Sequence, residues 1–246
     1  MKINKRLEDV FAHAVALTQS GRLKSTIYCR GRVIYILNQD HTVFLKFRLR
    51  KNEAEFSEPV SFNANDYDSN EVEVKGGEIC FIQEGAGFTR VKSCRTPDLT
   101  PADVHKQWRG FELAEENKVH LHKEVLSLLD PALSHVEFSS KNGKLRIVQR
   151  NIYSGSTIKI SRKEAGGLGL TVYDEIDDFK AIGVRTDDLF ALFSFVDALH
   201  LFFPGGGFMW ADALGKTNMT AIISKCRYDE LGGTSGRKVK KKRRRQ

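Results

Sequence analysis

The feature of this sequence that constrains its fold most is an internal repeat. Residues 59–95 and 181–227 each read as a strand, a turn or helix, and three further strands. The offset between matching positions is 122 at Val60 and Ile182 and grows to 132 at the C-terminal end of the repeat. A growing offset is expected when a helix and two loops have lengthened in one copy. The alternative is chance similarity between two β-rich segments, but a repeat of this length predicts one folding unit used twice.

The second copy contains the clearer helix signal. Apolar residues recur at helical spacing from Leu189 to Val196. Thr186 is predicted to cap this helix, with two aspartates in its first turn. Strands are predicted on either side of the helix, at 182–184, 199–203, 208–210 and 220–227.

The segments that precede each copy show the same plan. An amphipathic helix is predicted over 7–20, followed by strands at 25–30, 33–37 and 43–49. Further along the chain, a helix is predicted over 118–130, with strands at 136–138, 145–150 and 157–160.

Two prolines, Pro97 and Pro101, interrupt the pattern between the halves. We therefore predict an α+β protein of two tandem domains, each made of two strand–helix–three-strand modules. The predicted boundaries are 1–98 for the first domain, 99–107 for a linker, 108–231 for the second domain and 232–246 for a basic, disordered tail.

The tail contains eight basic residues and no acidic one. They are Arg237, Lys238, Lys240, Lys241, Lys242, Arg243, Arg244 and Arg245. Without them, 31 of the 39 Lys and Arg residues remain, which equals the 31 Asp and Glu residues. A flexible arm with eight cations is predicted to bind nucleic-acid phosphates by releasing counterions. A nuclear import signal and a solubility tail are the alternatives.

Two patterns suggest catalytic or nucleotide chemistry. Gly215-Lys216-Thr217 resembles the end of a phosphate-binding loop, but Trp210 stands where that loop needs a glycine. A magnesium-dependent nuclease site is conceivable at an acidic run, for which a solvated loop is the favoured interpretation. That run consists of Asp174, Glu175, Asp177 and Asp178. We expect no enzyme and no cofactor.

Histidines and cysteines provide the remaining candidate ligands. His120 and His122, with Glu116 and Glu124 nearby, share a face if their segment is a strand and do not if it is a helix. A surface position is favoured for both. The cysteines are predicted to be buried free thiols, because none forms a Cys-x-x-Cys pair. They are Cys29, Cys80, Cys94 and Cys226.

Two tandem domains of two strand–helix–three-strand modules resemble the DNA sliding clamps and related polymerase processivity factors, of the phage or viral type. A phage early DNA-binding protein that acts in replication and late transcription would fit. The resemblance implies that the sheets form an outer shell and that the helices face duplex DNA. It also implies six domains per ring, hence three copies of a two-domain chain, and a polymerase docked near the interdomain connector.

The resemblance assigns the DNA-facing surface to the helices at 7–20, 64–69, 118–130 and 186–197. Phosphate contacts would be made there by Lys5, Arg6, Lys118 and Lys123. The chain departs from the family because its fourth helix has no Lys or Arg and because its tail is strongly basic. A closed ring is retained by encirclement, whereas an open or monomeric clamp has to be held by charge.

These observations predict a sequence-independent duplex-DNA-binding accessory factor for a DNA polymerase, and also for an RNA polymerase if it acts in transcription. The alternative is a DNA- or RNA-binding transcriptional regulator that acts through its tail. No membrane partner is expected, because no apolar run is long enough to span a bilayer. The expected location is the cytoplasm (of the host, if the protein is phage-encoded), or the nucleus if it belongs to a eukaryotic virus.

Overall fold

The computed structural model describes residues 3–21, 25–38, 42–69, 71–94, 118–142, 144–150, 155–160, 179–202, 208–213 and 219–224. The predicted linker at 99–107 and the tail at 232–246 lie outside these ranges. The division into two domains at that linker therefore stays a prediction.

The first half of the chain contains one α-helix and seven strands among the described residues. In chain order these are α1 (Lys5–Gln19), β1 (Ser25–Gly31), β2 (Val33–Asn38), β3 (Val43–Arg48), β4 (Phe56–Asn63), a 3₁₀ helix (Ala64–Asp66), β5 (Glu71–Lys75), β6 (Glu78–Gly85) and β7 (Phe88–Cys94).

The second half adds eight strands and a second α-helix within the described ranges. They are β8 (Lys118–His122), a 3₁₀ helix (Lys123–Leu128), β9 (His135–Lys141), β10 (Lys144–Arg150), β11 (Gly155–Ile160), β12 (Phe179–Arg185), α2 (Thr186–Phe195), β13 (Ala198–Phe202), β14 (Phe208–Ala213) and β15 (Met219–Ser224).

The predicted modules are present in this element order. Three of them run strand, helix, three strands, beginning at β4, β8 and β12; the first module begins with α1. The turn predicted at Gly76 and Gly77 joins β5 to β6 with positive φ at both residues, which is the conformation that favours a tight hairpin. The α+β class and the modular plan are confirmed.

Three antiparallel sheets hold the modules together. The largest has eight strands in the order β4-β1-β2-β3-β15-β14-β13-β8, so it includes strands from both halves of the chain. The halves meet where β3 pairs with β15, from Phe47 opposite Met219 to Val43 opposite Ile223. The other sheets have the orders β11-β10-β9-β12 and β5-β6-β7.

The modules within each half also interlock. The opening strand of the second module, β4 in one half and β12 in the other, pairs with the first module's sheet, next to β1 and β9 respectively. In the second half, β8 returns the exchange by pairing with β13. Each half therefore folds as two modules that share strands, which explains why neither module is a compact unit alone.

A single apolar cluster includes buried residues of both α-helices and of all three sheets. The predicted stripe of α1 is buried, namely Leu7, Val10, Phe11, Ala14 and Leu17. Phe11 is fully buried, with its ring edge-on to Phe62 at 5.5 Å and to Tyr67 at 5.3 Å between ring centroids. The helix begins after Asn4, whose side chain accepts a hydrogen bond from the Leu7 N–H at 2.9 Å.

The helix predicted over 118–130 is wrong for its first five residues. Residues 118–122 form β8, which pairs with β13 over five successive positions. Only Lys123–Leu128 is helical, as a 3₁₀ helix. Pairing with a neighbouring strand satisfies a row of backbone groups, and this outweighs the helical spacing of Leu121 and Val125 in the sequence.

Two smaller corrections concern the other helices. The segment predicted at 64–69 is helical only over Ala64–Asp66. The N-cap of α2 is Arg185 rather than Thr186. Thr186 is already helical, and its hydroxyl donates to the carbonyl of Leu133, while its N–H donates to the Ser134 carbonyl at 3.0 Å. Its side chain therefore ties α2 to the loop before β9 instead of capping the helix.

No helix within the described ranges is long and apolar enough to cross a membrane.

The packing of Phe11 leads to a stability prediction. Phe11→Ala is expected to lower the free energy of unfolding by about 3–5 kcal/mol, because it leaves a cavity between α1 and two aromatic rings. Gln19→Ala, at the exposed end of the same helix, should change it by less than about 0.5 kcal/mol. Urea unfolding followed by circular dichroism measures both, and equal effects would contradict the packing described here.

Candidate nucleic-acid interface

The four helical segments form one continuous row. The 3₁₀ helix Ala64–Asp66 packs against α1, and α1 packs against α2. The end of α2 meets the 3₁₀ helix Lys123–Leu128, where the Lys123 N–H donates to the Asp197 carbonyl at 2.7 Å. We call these four segments the helical row. The surface that the sequence assigned to DNA is thus assembled from both halves of the chain.

Aromatic contacts fix the centre of the helical row. The ring of His13 on α1 lies 5.8 Å from that of Phe195 on α2, and Phe195 lies 5.4 Å from Phe47 of β3. Because β3 is the strand that joins the halves, the same residues place both α-helices against the sheet junction.

A cavity of about 390 Å³ opens beside this contact. Its lining is Arg6, Asp9, Val10, His13, Phe47, Arg50, Glu53 and Phe195. Glu53 organises one wall, because its carboxylate accepts from the Arg6 guanidinium at 3.2 Å and from the Arg50 backbone N–H at 2.5 Å. The cavity therefore combines an apolar floor with cations that are partly neutralised.

The predicted phosphate contacts lie in different environments. Lys5 is exposed at the first turn of α1. Arg6 forms an ion pair with Glu53, and Lys123 forms one with Asp197 at 3.5 Å between Nζ and Oδ1. Lys118 lies on β8 rather than on a helix, and its side chain is outside the described part of the structure. The eight tail residues, from Arg237 to Arg245, also lie outside it.

The helical row is not basic. Its four segments contain three Lys or Arg residues against six Asp or Glu residues. Two of the three cations, Arg6 and Lys123, are already paired with carboxylates. This surface alone therefore offers duplex phosphates little electrostatic attraction, which matches the departure that the sequence showed in α2.

Exposed cations are concentrated instead at one end of β1, β2 and β3. They are Arg30, Arg32, Arg48, Arg50 and Lys51, which we call the basic edge. Val33 is opposite both Arg30 and Arg48, so these two arginines share one face of the sheet. The alternation of Lys46, Arg48 and Arg50 with apolar residues signals one wet face in the sequence, but it does not show that β1 adds Arg30 beside it.

Lys46 differs from the residues of the basic edge because it is half-buried. Burial, and secondarily the charge of Arg48, lower the pKa of its ammonium group. It is therefore a weaker candidate for a solvent-facing phosphate contact than the exposed arginines beyond it.

The structure describes only part of the other candidate chemistry. The acidic run from Asp174 to Asp178 and the segment Gly215-Lys216-Thr217 lie outside the described residues. Cys29 is buried, as predicted, and burial raises the pKa of its thiol well above the usual value. Cys94 is buried as well, Cys80 is half-buried, and Cys226 lies outside the described ranges.

Two solved structures are similar to this architecture. A crystal structure of a PCNA2–PCNA3 complex from Sulfolobus tokodaii matches it with a TM-score of 0.56 and 13% sequence identity, over 88% of this chain and 96% of that chain. A crystal structure of the Helicobacter pylori beta clamp in complex with 3,4-difluorobenzamide matches with a TM-score of 0.63 and 9% identity, over 92% of this chain but only 65% of that chain. No family model and no curated protein matches the sequence.

This chain has the sliding-clamp fold. The similarity to the PCNA2–PCNA3 structure extends over almost all of both chains. The beta clamp chain is longer, and this chain spans about two thirds of it. The resemblance inferred from the sequence is thus confirmed for the fold, which the low identities place beyond the reach of sequence matching.

The Arg6–Glu53 pair leads to a second prediction. Its side chains are 23% and 12% exposed, so a double-mutant cycle with Arg6→Ala and Glu53→Ala should give a coupling energy of about 1 kcal/mol. The Lys123–Asp197 pair, 56% and 90% exposed, is the matched control and should give less than about 0.5 kcal/mol. Urea unfolding of the two cycles checks this, and equal couplings would rule out a fixed Arg6 side chain.

Proposed function

We propose that this protein is a non-catalytic sliding clamp that binds duplex DNA without sequence preference and serves as a processivity factor for a DNA polymerase. The observation that carries the proposal is the helical row, a continuous surface assembled from both halves of a sliding-clamp fold. A surface of this kind suits a duplex that moves past it, because it has no deep pocket for one base sequence.

Electrostatics divides the work between body and tail. The helical row has more acidic than basic residues, and the chain without its tail is formally neutral. The tail's eight cations supply phosphate contacts that the row lacks. Weak attraction at the row favours sliding, and a flexible cationic arm adds affinity without fixing the register.

The sheet junction within the chain supports assembly into a ring. β3 is the last strand of the first module and pairs with β15, the last strand of the fourth. By the repeat, the strands equivalent to β3 and β15 in the opposite halves are β11 and β7. Each of these ends its sheet among the described strands. Pairing β7 of one copy with β11 of the next would repeat the internal junction head to tail, as a closed ring requires.

The surface of β7 is consistent with such a junction. Phe88 and Val91 are 59% and 58% exposed, and they are two of the three large exposed hydrophobic residues in the described part of the chain. An apolar end strand left uncovered is a site for pairing with another chain. We therefore propose three copies per ring, with a monomer held on DNA by its tail as the alternative.

The partner enzyme is proposed by the same reasoning. A DNA polymerase is the first candidate, and an RNA polymerase acting in late viral transcription is the second. A transcriptional regulator that uses only its tail remains a different class of function. Stimulation of long-template synthesis by the full-length protein favours a clamp, and its absence favours a regulator.

The role of the tail can be tested by salt dependence. Deletion of residues 232–246 is expected to weaken duplex binding and to reduce the log–log salt slope by about 0.9 for each phosphate that the tail neutralises in the full-length protein. Replacing the eight tail cations with glutamine should have the same effect at full length. Lys75→Gln, an exposed cation on β5, is the control and should leave the slope nearly unchanged. Fluorescence anisotropy at several salt concentrations measures this, and an unchanged slope after deletion would exclude the tail.

The ring can be tested by solution mass. Sedimentation of the full-length protein should give three times the 27.8 kDa chain mass. Val91→Lys is expected to dissociate the ring by placing a charge at the β7 edge. Gln83→Lys, exposed on the neighbouring strand β6, is the matched control and should stay trimeric. A monomeric wild-type protein would exclude the ring and leave charge as the means of retention.

A further inference from the structure

Three histidines come together on the face of the eight-stranded sheet that points away from the core. On β8, His120 and His122 flank Leu121, which is fully buried and opposite Leu199 of β13. Alternate residues of a strand lie on opposite faces, so both histidines belong to the outer face. On β13, His200 lies between buried Leu199 and Leu201 and therefore belongs to the same face.

The strand register sets the spacing of these histidines. His200 is directly opposite His120, and residues opposite each other on antiparallel strands have Cβ atoms about 4.5–5.5 Å apart. His122 is two residues along from His120, about 7 Å away. Ala198, a small residue, is opposite His122. Three imidazole-bearing positions thus form a compact triangle across two adjacent strands.

Carboxylates accompany two of the three histidines. Asp212 on β14 is directly opposite His200 on its other side. The Glu124 carboxylate lies 3.8 Å from Nδ1 of His122, which is 39% exposed. Carboxylates that accept the second ring N–H of a histidine orient it and raise its basicity toward a metal ion.

We propose that His120, His122 and His200 bind a Zn²⁺-class metal ion, with Asp212 as the residue that positions His200. Three imidazoles with one open position are a frequent ligand set for Zn²⁺. Among the side chains that the structure describes there is no group of three close ligands. The proposal therefore rests on the register, which brings in His120 and Asp212 through their backbone positions.

A metal ion at this place would join β8 to β13. β8 is an end strand of the sheet, with β13 as its neighbour among the described strands. Ligands from both strands would cross-link that edge, and binding to the folded state alone would stabilise it. The site lies on the opposite face of the sheet from the core and is independent of the tail and of DNA binding.

The test uses untagged full-length protein. One equivalent of Co²⁺ should give the visible absorption bands of a low-coordinate cobalt site, and Zn²⁺ should displace the Co²⁺ and raise the thermal unfolding midpoint. His122→Gln, at the half-exposed edge, is expected to weaken Zn²⁺ binding by about 100-fold or more, and Asp212→Asn by about 10- to 100-fold. Competition with a chromophoric chelator measures these changes.

His13→Gln on α1 is the matched control, because His13 is exposed on the helical row, and it should bind Zn²⁺ like the wild-type protein. Wild-type protein without a one-equivalent Co²⁺ or Zn²⁺ site would overturn the proposal. Equal Zn²⁺ affinity in His122→Gln and His13→Gln would overturn it too. Duplex affinity should be unchanged in His122→Gln, so failure of the metal site leaves the proposed clamp function intact.

Discussion

The pairing of β3 with β15 is the interaction on which the rest of this structure depends. It converts two duplicated halves into one eight-stranded sheet and brings Phe47 of β3 under Phe195 of α2. His13 of α1 stacks on the same phenylalanine, so the two α-helices are held side by side at the junction. A shift of this pairing by one residue would turn the apolar residues of β15 to the other face and separate the helices.

Charge is distributed in a way that the fold alone does not require. The body is formally neutral, its helical row has an excess of acidic residues, and the cations are gathered in the tail and at the basic edge. Within the row, Arg6 and Lys123 form ion pairs with Glu53 and Asp197, which limits their attraction for phosphates. The geometry of a clamp and the electrostatics of DNA attraction are thus carried by different parts of this molecule.

The segment 118–128 shows where reasoning from sequence reached its limit. Leu121, Val125 and Leu128 have helical spacing, but the first five residues of this segment become β8 because β13 offers a complete row of backbone partners. The error affected function as well as fold. As a strand, the segment places His120 and His122 on one face and takes Lys118 away from the helical row, which reverses the assignments that a helix implied.

The sequence by itself determined the duplicated plan, the burial of the α1 stripe and the separation of a basic tail from a neutral body. These features follow from local periodicity and composition, which every stretch of the chain carries with it. Only the tertiary structure decided which strands are neighbours, that Glu53 neutralises Arg6, and that His200 and Asp212 lie beside His120. Those juxtapositions join residues tens of positions apart, and they are set by sheet register, which no local pattern encodes.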